Sequence, residues 1–351
     1  MRVAVLGDTH FGVHNASPVF DEYFKKFYTD VFFPYLKQND ISTVLQLGDI
    51  VDCRKATNHL SIYNAKKYFF DVFEECGISL VTILGNHDIY YRDTLDVSFS
   101  DLFLGKYENV TVIKEPTEYA FCDNGRKYSK VMLLPWICKQ NEERTAEMIR
   151  NTRCAVAFGH LELAGFAMNK GYEMQHGMDA SFLKKFESCW SGHYHTKSDK
   201  GNIHYAGTPY EITMVDADDP KYFHVYDCDT GEMEAIRNPY TMYEKIVYSK
   251  GFSDDLSKYT GKIIKLTVED RGETKDYEKF ISMLQDTNPA DLKILEESFE
   301  YKEDNTTDGV SVELGMDDTL GIINNYIDGI ENINSDSIKS IFNNLYTEAR
   351  I

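Results

Sequence analysis

At 351 residues the chain exceeds one minimal domain, and its 42% hydrophobic and 13% aromatic content lets it bury enough surface to offset ordering entropy, which excludes a disordered polymer. Its 37 Lys and Arg against 57 Asp and Glu give a formal charge of −20, the reverse of what a surface built to grip nucleic-acid phosphates needs. Three readings of that charge stay open: bound metals supply positive charge locally, a partner subunit supplies the grip, or the substrate is not a polymer.

The first element is a short apolar run, Arg2 to Gly7, that reads as a buried strand. The same pattern returns at Thr43 to Leu47, Leu80 to Leu84, Lys130 to Leu134, Ala155 to Phe158 and Ser188 to Trp190. Helix-length stretches lie between several of them, at Phe20 to Lys37, Asn58 to Cys76 and Glu142 to Asn151. Strands alternating with helices predict an α/β sheet with helices packed outside. Past about Pro239 the character changes. Strand-like Lys262 to Val268 and helix-like Tyr277 to Gln285 predict a small α/β cap domain, and Glu300 to Gly309 reads as an acidic linker. Beyond it, Leu320, Ile323, Ile327 and Ile330 share one helical face and Ile338, Ile341, Phe342 and Leu345 another, the pattern of two short amphipathic helices joined by Glu331 to Asp336. Those faces suit either packing on the rest of the chain or a partner. The expected organisation is residues 1–239, 240–299 and 300–351: catalytic domain, cap, and linker with tail helices.

No apolar stretch reaches the roughly 18 residues that cross a bilayer, and Gly7 and Asp8 stop the opening run at once, so neither a signal peptide nor a membrane span is expected. Seven cysteines without a CxxC pair read as reduced thiols of a cytoplasmic protein, each filling core.

The chemistry gathers at the strand ends. Gly7-Asp8-Thr9-His10, Gly48-Asp49-Ile50-Val51-Asp52, Gly85-Asn86-His87-Asp88, Gly159-His160 and Gly192-His193-Tyr194-His195 each follow an apolar run. Sites of open α/β sheets lie outside the carboxyl ends of the strands, so these segments can converge although they are far apart in sequence. One Gly-His would mean little, since a lone histidine is usually structural; five such endings together point to a site. Carboxylates, imidazoles and an amide oxygen without thiolate suit Mn²⁺, with Mg²⁺, Fe²⁺ or Zn²⁺ as alternatives. Seven ligands exceed one tetrahedral ion and suit two ions about 3.5 to 4 Å apart with a bridging carboxylate, a pair that favours phosphoester hydrolysis.

In this order the segments DxH, GDxxD, GNHD, GH and GHxH resemble the calcineurin-like metallophosphoesterases over roughly residues 1–225. Within them the chain is similar to the nuclease subunits of SbcCD-type double-strand-break repair complexes and of T-even-like phages, through Leu84 to Tyr91, Gly192 to Thr196 and Tyr205 to Pro209. The resemblance implies a β-sandwich flanked by helices, and a DNA exonuclease and endonuclease working in end processing, recombination and repair with a coiled-coil, SMC-like ATPase. It further implies a homodimer within a heterotetramer, in a host cytoplasm if phage-encoded. By the same resemblance Asp8, His10 and His195 hold one metal, Asn86, His160 and His193 the other, and Asp49 bridges. His87 then acts at the scissile phosphate with Asp88 orienting it. Asp52 stands where some family nucleases carry histidine, and a structural hydrogen bond is its default.

Of the remaining residues, His14 could approach the site from the loop after His10, while His59, His176, His204 and His224 carry no expected role. Lys184-Lys185 reads as a solvated helix face, and Tyr90-Tyr91 suits either packing or stacking on unpaired bases. The competing function is a phosphatase or cyclic-nucleotide phosphodiesterase of the same fold, which the −20 charge suits. A noncatalytic scaffold is disfavoured because no expected ligand is missing.

Overall fold

The computed structural model describes residues 1–296 except 124, 170 and 171, so the segments expected to form the acidic linker and two tail helices lie outside the described residues. Two six-stranded sheets face each other. The first runs Met233–Arg237, Tyr222–Asp227, Arg2–Leu6, Thr43–Gln46, Ser79–Ile83, Val110–Ile113; its last four strands are parallel and the first two antiparallel. The second runs Ser198–Lys200, Ile203–Tyr205, Ser188–Gly192, Val156–His160, Val131–Leu134, Thr117–Tyr119, with parallel strands in its middle.

Strands buried on both faces cannot alternate polar and apolar residues, which is why the central strands read as unbroken apolar runs. Successive side chains point to opposite faces. Val3, Val5, Leu45, Val81 and Ile83 therefore face Leu133, Phe158 and Trp190 between the sheets, while Ala4, Leu6, Val44 and Leu80 face helices outside the first sheet. The outer layer of the second sheet is Met132, Leu134, Ala157, Cys189 and Ile203 against Ile149 and Leu183. The result is a β-sandwich flanked by helices, as expected.

The helical stretch expected over Phe20 to Lys37 spans Pro18–Phe27, a π-helical turn Tyr28–Phe32, and Phe33–Gln38. Pro34 lacks an N–H and its ring clashes with the carbonyl four residues back, so the ladder shifts there without breaking. Phe20, Phe24, Phe27, Phe32 and Leu36 form its buried stripe. The stretch expected over Asn58 to Cys76 is likewise His59–Ala65, Lys66–Phe70 and Asp71–Glu75, started by Asn58, whose side chain accepts from Leu60 N at 2.9 Å. Glu142–Asn151 is a helix as expected.

After Arg237 the chain builds a separate parallel sheet of Tyr243–Tyr248, Ile263–Val268 and Asp291–Glu296. Helix Thr274–Asp286 covers one face, with Ile246, Tyr248, Ile264, Leu266, Tyr277, Phe280 and Leu284 as the core. The carboxylate of buried Glu211 joins this module to the sandwich, accepting from Met242 N at 2.6 Å and Tyr243 N at 2.8 Å.

Two expectations fail here, the second in part. Cys53, Cys76 and Cys122 are exposed instead of filling core, whereas Cys138, Cys154 and Cys189 are buried. Lys184 and Lys185 are solvated as expected, both being exposed, but they follow the 3-10 turn Ala180–Leu183 and do not lie on a helix face; the Lys185 ammonium donates to the carbonyls of Ile149, Arg150 and Thr152 at 2.6 to 3.1 Å, filling orphan acceptors at the end of the Glu142–Asn151 helix. Among the described residues no helix is long and apolar enough to cross a membrane.

Candidate metal centre

Both sheets contribute to one rim. Asp8 and His10 follow the Arg2–Leu6 strand, Asp49 follows Thr43–Gln46, and Asn86 and His87 follow Ser79–Ile83, all in the first sheet. His160 ends Val156–His160 and His193 and His195 follow Ser188–Gly192, in the second. Ligand atoms of Asp8, His10 and His195 lie within 4.8 Å of one another, as do those of Asp49, His160 and His193. Each group therefore draws on both sheets.

The turns that allow this need glycine. A Cβ on Gly85 would fall on the Asp49 carboxylate, and one on Gly48, whose φ is +95°, would stand 2.6 Å from His160 Nδ1. Three candidate ligands themselves take left-handed backbone conformations, His10 at φ 44°, Asp49 at 53° and His193 at 90°. Such residues cost about 1 to 3 kcal/mol each and persist where surrounding contacts over-determine them. Buried Gln46 supplies one such contact: its Oε1 accepts from Gly48 N at 2.9 Å and from Thr82 Oγ1 at 2.6 Å.

The polar contacts converge without closing on one another. His160 Nδ1 lies 2.7 Å from the Leu47 carbonyl and donates to it, which directs Nε2 at Asn86 Oδ1 at 2.9 Å and Asp49 Oδ2 at 3.3 Å. His193 Nδ1 approaches the same Asn86 oxygen at 2.9 Å. On the other side His10 Nε2 lies 3.2 Å from His195 Nε2 and 3.9 Å from both Asp8 Oδ2 and Asp49 Oδ2. Acceptors that face acceptors at these distances need protons or cations between them, and this donor set fits two divalent ions.

Charge follows the same logic. Burial opposes ionisation of Asp49, yet the His160, His87 and His10 rings hold it well below the carboxylate range. Burial pulls His10 down, but Asp52, Asp49 and Asp8 push it up to about 9. His160 is likewise pulled down by burial and pushed up to about 9 by Asp49 and Asp8. His193 and His195 fall to about 3, through burial first and then the neighbouring imidazoles. Burial raises Asp8 to about 6 against the pull of His160.

His87 sits on the open side, its ring centroid 5.0 Å from that of His10 and its backbone N–H donating to Asp49 Oδ1 at 2.7 Å. Burial holds its pKa below the ordinary value against the pull of Asp49. The expected orienting contact from Asp88 is not what the structure places there. The Asp88 carboxylate accepts instead from the backbone N–H groups of Gly85, Asp49 and Ile50, each at 2.8 Å. His87 Nδ1 bonds to the backbone carbonyl of Asp52. The Asp52 carboxylate lies 3.4 Å from His10 Nδ1, within ion-pair distance.

His14 does not reach the rim. Its ring stacks on Phe20 at 4.4 Å, and its Nε2 lies 2.7 Å from the Ile212 carbonyl and 3.1 Å from the Tyr243 hydroxyl. His59 is exposed and His224 fully buried. Tyr90 and Tyr91 are both exposed, their rings edge-to-face at 4.7 Å. Missed from the sequence was Lys221, buried, whose ammonium donates to the His195 carbonyl at 2.9 Å and to Asp216 and Asp219 at 2.6 and 3.0 Å. The acidic run ahead of it, Asp216 to Asp219, was the available signal.

Residues 1–197 match the calcineurin-like phosphoesterase family. The chain is 32% identical over 360 residues to a protein named exonuclease subunit 1 of Enterobacteria phage T4, covering 99% of each. Among solved structures it is similar to an archaeal phosphodiesterase, with 11% identity, 68% of this chain and 100% of that one covered, and a TM-score of 0.33. A protein of Thermus thermophilus gives 10% identity, 67% and 98% coverage, and a TM-score of 0.39. The matched span holds all seven candidate ligands, from Asp8 to His195, and by it the chain belongs to the calcineurin-like phosphoesterase family.

Proposed function

We propose that this protein is a metal-dependent DNA nuclease, with double-strand exonuclease and single-strand endonuclease activity, acting in DNA end processing, recombination and repair with a coiled-coil, SMC-like ATPase partner. The observation that carries the reading is the convergence of two ligand groups, drawn from both sheets, beside the half-buried His87. A polymeric DNA substrate and a partner are supported by full-length similarity to a protein named an exonuclease subunit.

Asp8, His10 and His195 would hold one divalent cation, Asn86, His160 and His193 a second, and Asp49 would lie between them. Such a pair, Mn²⁺ being the best match to this donor set, lowers the pKa of a water and neutralises charge on a phosphodiester. His87 supplies the proton. The neutral ring with Nδ1–H donated to the Asp52 carbonyl has a bare Nε2, so the acid is the imidazolium, whose Nε2–H passes to the leaving oxygen as the P–O bond breaks and which keeps its Nδ1–H on that carbonyl. Asp88 acts one step back by clamping Gly85, Asp49 and Ile50, which fixes the turns on both sides of His87.

The test is degradation of linear duplex DNA by the purified chain with Mn²⁺, ending on chelation. Turnover of small phosphoesters alone would refute the nuclease and favour a phosphatase or cyclic-nucleotide phosphodiesterase. Residues 310–351 are assigned to the ATPase: deleting them removes its co-purification and spares hydrolysis of a small phosphodiester. Unchanged co-purification would sink that assignment.

A further inference from the structure

The charge of −20 conceals a basic row. In the parallel sheet after Arg237, Lys245 pairs in register with Lys265, and Lys265 with Lys293. Registered residues of neighbouring parallel strands project to the same face, so three ammonium groups stand side by side. The face is opposite the one that Thr274–Asp286 covers, because Ile246, Ile264 and Leu266, of the other parity, fill that core. Lys245 and Lys293 are exposed and Lys265 is half-buried between them. None of the three forms an ion pair among the described residues. The next row outward on this face is Val247, Thr267 and Leu295, and the row before it is Tyr243, Ile263 and Asp291, so Asp291 is the single carboxylate at these nine positions.

Like charges directly opposite one another destabilise a sheet. A fold gains nothing from three in register, whereas a polyanion laid across them does. Strands are about 4.8 Å apart, so the row spans roughly 10 Å. Along the axis of duplex DNA, where one strand carries a phosphate every ~3.4 Å, that length runs beside roughly three to four phosphates. We propose that Lys245, Lys265 and Lys293 form a track for the sugar-phosphate backbone of duplex DNA, a grip that this chain carries itself. The proposal rests on the nuclease reading and adds to it a binding surface separate from the metal rim.

The test uses the full chain carrying Lys245→Gln, Lys265→Gln and Lys293→Gln, with a fluorescent linear duplex as probe and chelator present to prevent cutting. Three lost phosphate contacts make the slope of log affinity against log salt shallower by about 2 to 3, and affinity at low salt falls at least tenfold. Hydrolysis of bis(4-nitrophenyl) phosphate with Mn²⁺ stays at the wild-type rate. A control with the same change in charge, Lys37→Gln, Lys127→Gln and Lys139→Gln, keeps the wild-type slope. An unchanged slope in the row variant overturns the track, as does an equal loss in the control or a parallel fall in diester hydrolysis. Normal duplex binding with loss of an acidic protein partner also overturns it, giving the row to protein docking. A wild-type chain that hydrolyses the diester but binds no duplex removes the nuclease reading, and the track with it.

Discussion

Glu211 is a buried carboxylate whose two hydrogen bonds both end on one oxygen, Oε2, from Met242 N and Tyr243 N. Burial first, and the Asp216 charge after it, push its pKa from 4.5 up to about 7 against those bonds and Lys221. A carboxyl that is harder to ionise folded than unfolded binds its proton more tightly in the native state. Stability from this group is therefore full below about pH 4.5 and declines as the pH rises to about 7, beyond which it is flat. At about 1.4 kcal/mol per pH unit the decline is about 3 to 4 kcal/mol. Glu211→Gln keeps an oxygen where Oε2 stands and cannot ionise, so it mimics the protonated acid. The variant should match wild type at pH 4.5 and exceed it by about 3 to 4 kcal/mol at pH 8, several degrees in melting temperature for a chain of this size. Thermal unfolding in chelator, followed by the fluorescence of the two tryptophans, Trp136 and Trp190, reads the difference across pH 4.5 to 8. Parallel stability curves for the two proteins would refute the argument, because they would mean that the Glu211 charge is solvated in the native state.

His87→Ala should retain two bound metal equivalents by elemental analysis and lose about 10²- to 10⁴-fold in cleavage rate, the usual yield of a positioned acid; undiminished cleavage would show that the proton comes from elsewhere. In Gly85→Ala the added methyl meets the Asp49 carboxylate, so metal affinity measured by calorimetry should fall with little change in far-ultraviolet circular dichroism; wild-type affinity would mean the turn relaxes. Lys221→Met leaves Asp216 and Asp219 without their buried cation, at a cost of about 3 to 5 kcal/mol in urea unfolding, and a change below about 1 kcal/mol would contradict the buried pair.

The sandwich was legible where burial on both faces forces unbroken apolar runs, as in Val3 to Leu6 and Leu80 to Leu84, and the candidate ligands stood out because each follows such a run after a glycine. Strands with one open face were not. Met233–Arg237, Tyr243–Tyr248 and Asp291–Glu296 mix Lys, Glu and aliphatic residues, and their pairing is decided by partners distant in sequence. The lysine row was invisible for the same reason, since 20 and 28 residues separate its members. The partner of His87 was hidden differently: the group that holds it is a backbone carbonyl, and every residue has one. The orienting role that the resemblance implies for Asp88 is not met, because adjacent side chains diverge and its carboxylate turns to the backbone instead.

Because each donor group is split between the two sheets, the spacing of its halves is set by the layer of Val5, Leu45, Val81, Leu133 and Phe158 that separates them. That layer works as a gauge block. Close-packed interiors transmit strain and do not absorb it. A change such as Phe158→Leu, within that layer, would reset the gap between the halves of both donor groups at once, and metal affinity would then measure how well the sandwich is packed. Selection on the chemistry at the rim thereby extends to apolar side chains that take no part in it.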